Sequence, residues 1–214
     1  MIIDLHVHTS PKSYCSALDL HALVKKAKKI GLDGVCLTEH DMVWDKKSID
    51  TLREEYDFVF LRGMEVSTNL GHILVYGLED YVDGIWRASN LRQVTDQAGG
   101  VMIAAHPFRD SYIPWRTNPE YLKTMNLEAV TQKPIFSLVH SMEVLNGERP
   151  DPENNLSCLI AEKLHMKGTG GSDSHSEHAL GRCVTKFEND IETDEDLIRE
   201  LKLGRFEALN FNHR

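Results

Sequence analysis

The sequence predicts an α/β protein in which parallel strands, covered by helices, close into a barrel. Three observations predict it. Apolar runs that read as strands alternate with amphipathic helices. The strand runs, such as Gly34-Val35-Cys36-Leu37-Thr38 and Val101 to Ala105, are continuously apolar, as in strands buried on both faces. Histidines and carboxylates recur where these runs end, and a barrel gathers those ends on one face. An open doubly wound sheet is the alternative, but no Gly-rich nucleotide loop follows the first strand.

Met1-Ile2-Ile3 opens a strand that runs into Asp4-Leu5-His6-Val7-His8-Thr9. Residues two apart in a strand point to one side, so His6 and His8 project together. A loop carrying Pro11, Lys12 and Cys15 follows. Asp19 then caps a helix over about 20–30, with an apolar stripe from Leu20 to Ile30 and Gly31 as its stop. The lysines and His21 on this helix form a solvated face. The next strand, ending at Thr38, delivers Glu39-His40-Asp41. Helical character is expected over 46–55, a strand over 58–61 leading to Gly63-Met64-Glu65, and a strand over 72–76 beginning at His72. A helix over 87–98 stops at Gly99-Gly100, and the strand from Val101 delivers His106-Pro107, where proline ends the pairing. Residues 110–133 are less regular, with a helix expected near 119–125. Tyr112 and Trp115 there either line a pocket mouth or pack. One or two strands are expected over 136–145, and a helix over 152–165. Gly168 to Gly171 leads into Ser172-Asp173-Ser174-His175. The tail reads as a strand near 183–187, a helix over 194–203 capped by Thr193, and a last strand near 206–210.

The 214 residues fit one large domain, divided as 1–178 for the barrel and 179–214 for a C-terminal segment packed on it. No apolar run approaches the roughly 20 residues needed to span a bilayer. No basic and apolar leader precedes His6, so the protein is expected in the cytoplasm, without a membrane partner. Four separated cysteines without a CxxC argue against a disulfide framework and a zinc ribbon. A net charge of −9 speaks against non-specific nucleic-acid binding, leaving nucleic acid only as a substrate. The residues do not indicate an oligomeric state.

His6, His8, His40, Glu65, His72, His106, Asp173 and His175 are the candidate metal ligands. Imidazoles and carboxylates without thiolate suit zinc, manganese or iron. Eight donors exceed one four-coordinate ion, so two or three ions sharing a carboxylate is the economical reading, with Glu65 as the bridge. Such a centre lowers the pKa of a bridging water and clamps the oxygens of an in-line displacement at phosphorus. Each histidine also has a structural alternative as a hydrogen-bonded core residue. Asp173 and His175 repeat the two-apart geometry of His6 and His8. His140, mid-strand, reads as a satisfied core histidine, while His165, His178 and His213 read as structural or exposed. Arg109 is placed to bind a substrate phosphate bidentately, or to form a surface salt bridge. Lys12 and Arg182 are further phosphate-binding candidates. Asp4 either orients a ligand histidine or caps the strand.

These motifs resemble the PHP family, the polymerase and histidinol phosphatase domain. The resemblance runs from Asp4-Leu5-His6-Val7-His8-Thr9 to Gly170-Gly171-Ser172-Asp173-Ser174-His175, with the blocks in the family's order. The stretch from Leu180-Gly181-Arg182 to Gly204-Arg205-Phe206 is similar to a PHP-associated C-terminal region. The resemblance implies a distorted (β/α)7 barrel with a two- or three-metal centre. It places His6, His8, Glu65 and Asp173 on one metal, Glu65 with His106 and His72 on a second, and His40 with His175 on a third. Many members complete that third site with an aspartate or histidine where this chain has Cys15, a departure that bears on metal number.

The resemblance implies hydrolysis of a phosphoester, here of a small phosphorylated metabolite or nucleotide. Asp173 or His40 relays a proton to the leaving group, and Arg109 holds phosphate oxygens. Two alternatives stay open: amide or lactone hydrolysis at the same kind of centre, and a metal-binding regulatory module without catalysis, for which Cys15 is the sequence support.

Overall fold

The computed structural model describes residues 1–109 and 125–211, so the expected helix near 119–125, Tyr112, Trp115 and His213 lie outside the described residues. The described chain builds ten strands and six α-helices. In order they are β1 (Ile2–Val7), α1 (Leu20–Ile30), β2 (Gly34–Leu37), α2 (Lys46–Tyr56), β3 (Val59–Arg62), β4 (Met64–Thr68), β5 (Gly71–Tyr76), α3 (Ala88–Gln97), β6 (Val101–Ala104), α4 (Leu127–Thr131), β7 (Ser141–Asn146), α5 (Asp151–Lys163), β8 (Gly168–Gly171), β9 (Cys183–Phe187), α6 (Asp194–Leu203) and β10 (Phe206–Asn210).

The strands form two five-stranded mixed sheets, ordered β10-β9-β1-β2-β3 and β4-β5-β6-β7-β8. The ladders β1-β2-β3 and β6-β7-β8 are parallel, as expected. The pairs β4-β5, β5-β6, β1-β9 and β9-β10 are antiparallel, which corrects the all-parallel expectation. The two sheets do not join into one closed ladder. They meet instead at two isolated bridges near the carboxyl ends, Val7 with Ser174 and His40 with Glu65.

The strand expected over 58–61 is β3, but β4, directly after Gly63, was not expected as a strand. A Cβ at Gly63 would lie 2.8 Å from the Tyr76 ring and 2.9 Å from the Thr38 methyl. Only a glycine lets the chain pass so close as it leaves β3 in one sheet and enters β4 in the other. The stretch expected as strand over 136–145 starts instead with a 3-10 turn at Pro134–Ser137, and pairing begins only at Ser141. Pro134 supplies no backbone donor, which suits a turn and not a ladder.

Three apolar clusters order the layers. Leu23, Val24 and Ala27 of α1 and Ile49 of α2 pack on the outer face of the first sheet with Val35 and Phe60. Leu91 of α3 and Leu156 and Ile160 of α5 cover the second sheet against Ile73 and Met102. Between the sheets lie Ile3, Leu5, Leu74, Tyr76 and Ile103, closed at one end by Leu197 and Leu201 of α6. Burying each such side chain contributes roughly 1.5–3 kcal/mol. The opposite end of this interior, where β1, β2, β4, β6 and β8 terminate or begin, holds the polar cluster described next.

The helix ends follow the sequence signals. Asp19 accepts the Ala22 amide at the start of α1, and Gly31, at φ 84°, ends it. Thr193 and Asp196 form a reciprocal capping box at the start of α6. His140 is structural: its Nδ1 accepts from the Met102 amide at 3.0 Å and its own amide donates to Met102 O at 2.9 Å.

Candidate metal centre

β1 brings His6 and His8 to the mouth of the interior with their Nε2 atoms 3.1 Å apart. The pairing register of β1 shifts between Asp4 and Val7. The carbonyl of Leu5, in the shifted stretch, accepts from the buried Tyr76 hydroxyl at 2.9 Å. Glu65, fully buried at the start of β4, faces both imidazoles with Oε2, at 3.4 Å from His6 and 3.2 Å from His8. Asp173 Oδ1 completes the group at 3.4 Å from His6 and 3.5 Å from His8.

Around this tetrad the other four candidates gather. His40 Nδ1 is 3.2 Å from Glu65 Oε2. His72 Nδ1 and His106 Nε2 reach the other oxygen, Glu65 Oε1, at 2.8 and 2.9 Å. His175 Nδ1 donates to the Asp173 carbonyl at 2.8 Å, and its ring stacks against His8 with centroids 4.4 Å apart. All eight sequence candidates therefore meet in one place. Donor atoms of seven of them fall into three overlapping groups: His6, His8, Glu65 and Asp173; His40, Glu65 and His72; and His8, His40 and His175. His106 stands outside these groups and meets the cluster through Glu65 Oε1. His8 and His40 each serve two groups, where the resemblance implied one apiece. Cys15 is exposed and belongs to none of these groups.

The donor set fits divalent cations. His40 Nδ1, Glu65 Oε2 and Asp173 Oδ1 are buried without a hydrogen-bond partner, and all three lie in the tetrad and its neighbour. An orphaned buried acceptor is costly unless a cation takes it. The tautomers agree, as assigned from their partners. His6 Nδ1 faces the Glu143 carboxylate at 3.1 Å, so its proton sits there and Nε2 turns a lone pair inward. His175 is held the same way by the Asp173 carbonyl. Ser13 donates its hydroxyl proton to Glu39, leaving its oxygen to accept from His8 Nδ1 at 3.4 Å.

The electrostatics point the same way. Burial alone would depress the His6 pKa, but the carboxylates of Asp173, Glu143 and Glu65 outweigh it and hold it well above the usual value. Burial would raise Glu65 and Asp173, yet the surrounding imidazoles hold both well below the carboxylate range. Burial pushes His40 down to about 4. The site thus keeps its carboxylates anionic and, without a cation, draws a proton onto His6 in its place.

Two backbones are strained here. His106 has φ 27° and Asp173 φ 55°, left-handed values unusual for either residue. Asp173 and His175 follow β8 and lie in a loop, so the expected strand alternation does not place them; the turn at Asp173 does. Asp4 is buried, with its pKa pushed up to about 6 by desolvation. Its carboxylate accepts the amides of Ser172 at 2.8 Å, Gly181 at 3.0 Å and His6 at 3.3 Å. It ties β1 to the Asp173 loop through backbone and does not touch a ligand ring.

Two further residues were not singled out in the sequence. Glu143, 1 % exposed on β7, accepts the His106 amide and the Asn146 side chain on Oε2 at 2.9 and 2.8 Å, beside its contact with His6. Gly171 makes room for that contact, since a Cβ there would meet Glu143 Oε1 and His6 Cβ, both at 2.6 Å. Glu39 accepts from the Thr9 amide, the hydroxyls of Thr9 and Ser13, and Trp44 Nε1, and so anchors the loop after β1. A carboxylate inside an apolar strand or at its end was the available signal, because buried charges are rarely left unpaired.

Of the proposed phosphate binders, Arg109 lines a cleft beside His72 and His106. Lys12 sits over the Trp44 ring, 5.0 Å from its centroid. Arg182 is held by Gly147 O and Glu148 Oε1, at 3.2 and 3.3 Å, and contacts none of the eight donors among the described residues.

Residues 151–206 match the family model described as PHP-associated, a span that takes in α5, β8, β9 and α6. An uncharacterized protein of Methanocaldococcus jannaschii, MJ1587, is 29% identical over 118 residues, covering 50% of this chain and 68% of that one. Among solved structures, the chain superposes with a TM-score of 0.67 and 24% identity on a two-domain Bacteroides vulgatus protein, described as containing a predicted PHP-like metal-dependent phosphoesterase. The match covers 98% of this chain and 64% of the other, so the chain spans less than two thirds of that protein. An amidohydrolase from Chromobacterium violaceum, described with bound sulfate and no metal, superposes with a TM-score of 0.60 and 17% identity over 98% of both chains. The chain has the fold of PHP-like proteins, and the matched C-terminal model is consistent with the PHP family that its motifs resemble. The chain thus combines that fold with a buried His/Glu/Asp cluster that offers ligands for metal ions.

Proposed function

We propose that the protein is a metal-dependent phosphoesterase acting on a small phosphorylated compound through a polynuclear centre. One observation carries the reading: each oxygen of the buried Glu65 carboxylate faces its own set of histidines, Oε1 toward His72 and His106, Oε2 toward His6, His8 and His40. A carboxylate so placed is suited to bridge two cations. His6, His8, Glu65 and Asp173 would hold one, Glu65 with His72 and His106 a second, and His8, His40 and His175 offer a third. Zinc, manganese or iron matches these donors. When bound, such ions supply acidified water and Lewis-acid polarisation of a phosphoryl oxygen.

The chain's own residues do the rest. Glu143 and the Asp173 carbonyl hold the ligand imidazoles in one tautomer. Arg109 is placed to donate to phosphate oxygens. Asp173 or His40, unprotonated at neutral pH, would take a proton from the attacking water and relay it to the leaving oxygen. The two bridges at the rim support reading the sheets as one distorted (β/α)7 barrel with this centre at its mouth. Four free thiols, two of them exposed, support a reducing, cytoplasmic setting.

The test is phosphate release from a panel of phosphomonoesters and phosphodiesters, with Arg109→Ala beside the parent chain. The reading expects Arg109→Ala to keep its metal and to lose about 10- to 100-fold in kcat/KM on phosphoesters. The likeness to a structure described as an amidohydrolase favours amide hydrolysis as the second reading. Turnover of amides or lactones that is indifferent to Arg109 would select it.

A further inference from the structure

The cleft beside the centre has a charge pattern the metal site does not explain. Its volume is about 230 Å³, and His72, His106, Arg109, Lys133, Leu70 and Ile135 line it. His72 and His106 are the two histidines on Glu65 Oε1, so the cleft opens directly from that side of the centre. No acidic residue is among the described residues lining it, although the chain as a whole carries a net charge of −9. Lys133 is exposed, and its ammonium sits 5.3 Å from the Phe108 ring centroid. Burial lowers its pKa with no carboxylate to counter the effect. Among the described residues neither Lys133 nor Arg109 forms an ion pair.

Two cationic side chains in a cleft whose described lining carries no acid offer a receptor for oxyanions. Arg109 alone answers the need of a phosphate under attack at the centre. Lys133, which also lines the cleft at the start of the turn that carries Ile135, answers a second negative group. The size is also selective, because pockets for drug-sized ligands run to roughly 300–1,000 Å³. A short anionic tail suits a cleft of this size.

We propose that this cleft is a subsite for a second anionic group, read by Lys133, and that the substrate is a small phosphoester bearing a further phosphate or carboxylate. The proposal rests on the phosphoester reading above and narrows it. Lys133 is a specificity-determining residue here and makes no contact with the candidate metal ligands. Its side chain caps nothing in the turn it starts.

The test is calorimetric binding to the manganese-loaded full chain. The probes are α,ω-alkane diphosphonates of increasing length, the matching ω-phosphonocarboxylates, and the alkylphosphonates of the same carbon number. Lys133→Met and Lys133→Arg are compared with the parent chain. For at least one dianion, Lys133→Met is expected to weaken binding by about ten-fold or more, with Lys133→Arg recovering most of it. The matched alkylphosphonate is expected to change less than about two-fold. The two dianion series then decide between phosphate and carboxylate. Equal losses for dianion and monoanion, or no loss for either, would overturn the subsite. Failure of the parent chain to bind any phosphonate would instead strike the phosphoester reading itself, and the monoanion arm makes the two failures distinguishable.

Discussion

Glu143 spends both carboxylate oxygens on the metal centre, one on His6 Nδ1 and the other on the strained backbone of His106. A glutamine in its place removes the charge that fixes the His6 proton on Nδ1. Glu143→Gln is therefore expected to weaken metal affinity by about 10- to 100-fold. Competition with a chromogenic chelator measures it, and unchanged affinity would mean Glu143 serves the fold alone. At this scale the sequence was informative where geometry is local. His6 and His8 were legible because a strand repeats every two residues, and His40 and His106 because each follows an apolar run. Asp173 was found by its residue type, but the left-handed turn that aims it was not legible, since nothing in the sequence marks a non-glycine at φ 55°. Glu143 was missed because it stands in a strand whose other residues read as core.

Gly63 marks the passage from β3 in one sheet to β4 in the other, and its substitution tests that close approach. Gly63→Ala would drive a methyl to 2.8 Å from the Tyr76 ring, against a side chain fixed by its hydroxyl bond to Leu5. The expected cost is about 1–3 kcal/mol, seen as a lower denaturant midpoint at unchanged slope. An unaltered midpoint would show that the Tyr76 ring yields freely. The helices with chemical start and stop signals were read correctly, Asp19, Gly31 and Thr193 acting where expected, whereas α4 was not expected. Strand direction was read less well. Between β4, ending at Thr68, and β5, starting at Gly71, only Asn69 and Leu70 remain. A parallel crossover needs about a dozen residues, so that spacing alone permits only an antiparallel hairpin. The split of 136–145 turned on Pro134, which starts a 3-10 turn where an apolar run suggested a strand.

The molecule as a whole is closed at the end opposite the metal cluster by α6, whose Glu200 is held by Arg205, Arg199 and Asn189. The Arg205 guanidinium first, and Asn189 and Arg199 with it, hold the Glu200 pKa down to about 2 from an ordinary 4.5. The unfolded chain therefore binds more protons between those values. The contribution is complete above about pH 4.5 and is lost as pH falls toward about 2. Glu200→Gln is expected to lower stability at neutral pH and to flatten its loss across that acid window, as followed by thermal unfolding. An acid profile parallel to that of the parent chain would contradict the assignment. The alternation of strands and helices made the α/β class legible at this scale. The second sheet's separate hydrogen bonding was not, because the apolar pattern of a buried strand is the same in either sheet.

The measurement that tests the central claim most directly is a metal titration of the chelator-stripped chain, with phosphate release from a chromogenic phosphoester followed at each step. The account predicts no turnover in the stripped chain and a rise with zinc, manganese or iron that is complete only at two or more ions per chain. It also predicts that Glu65→Gln abolishes that rise. Turnover that persists without metal, or two or more bound ions with no hydrolysis of any phosphoester, would contradict it.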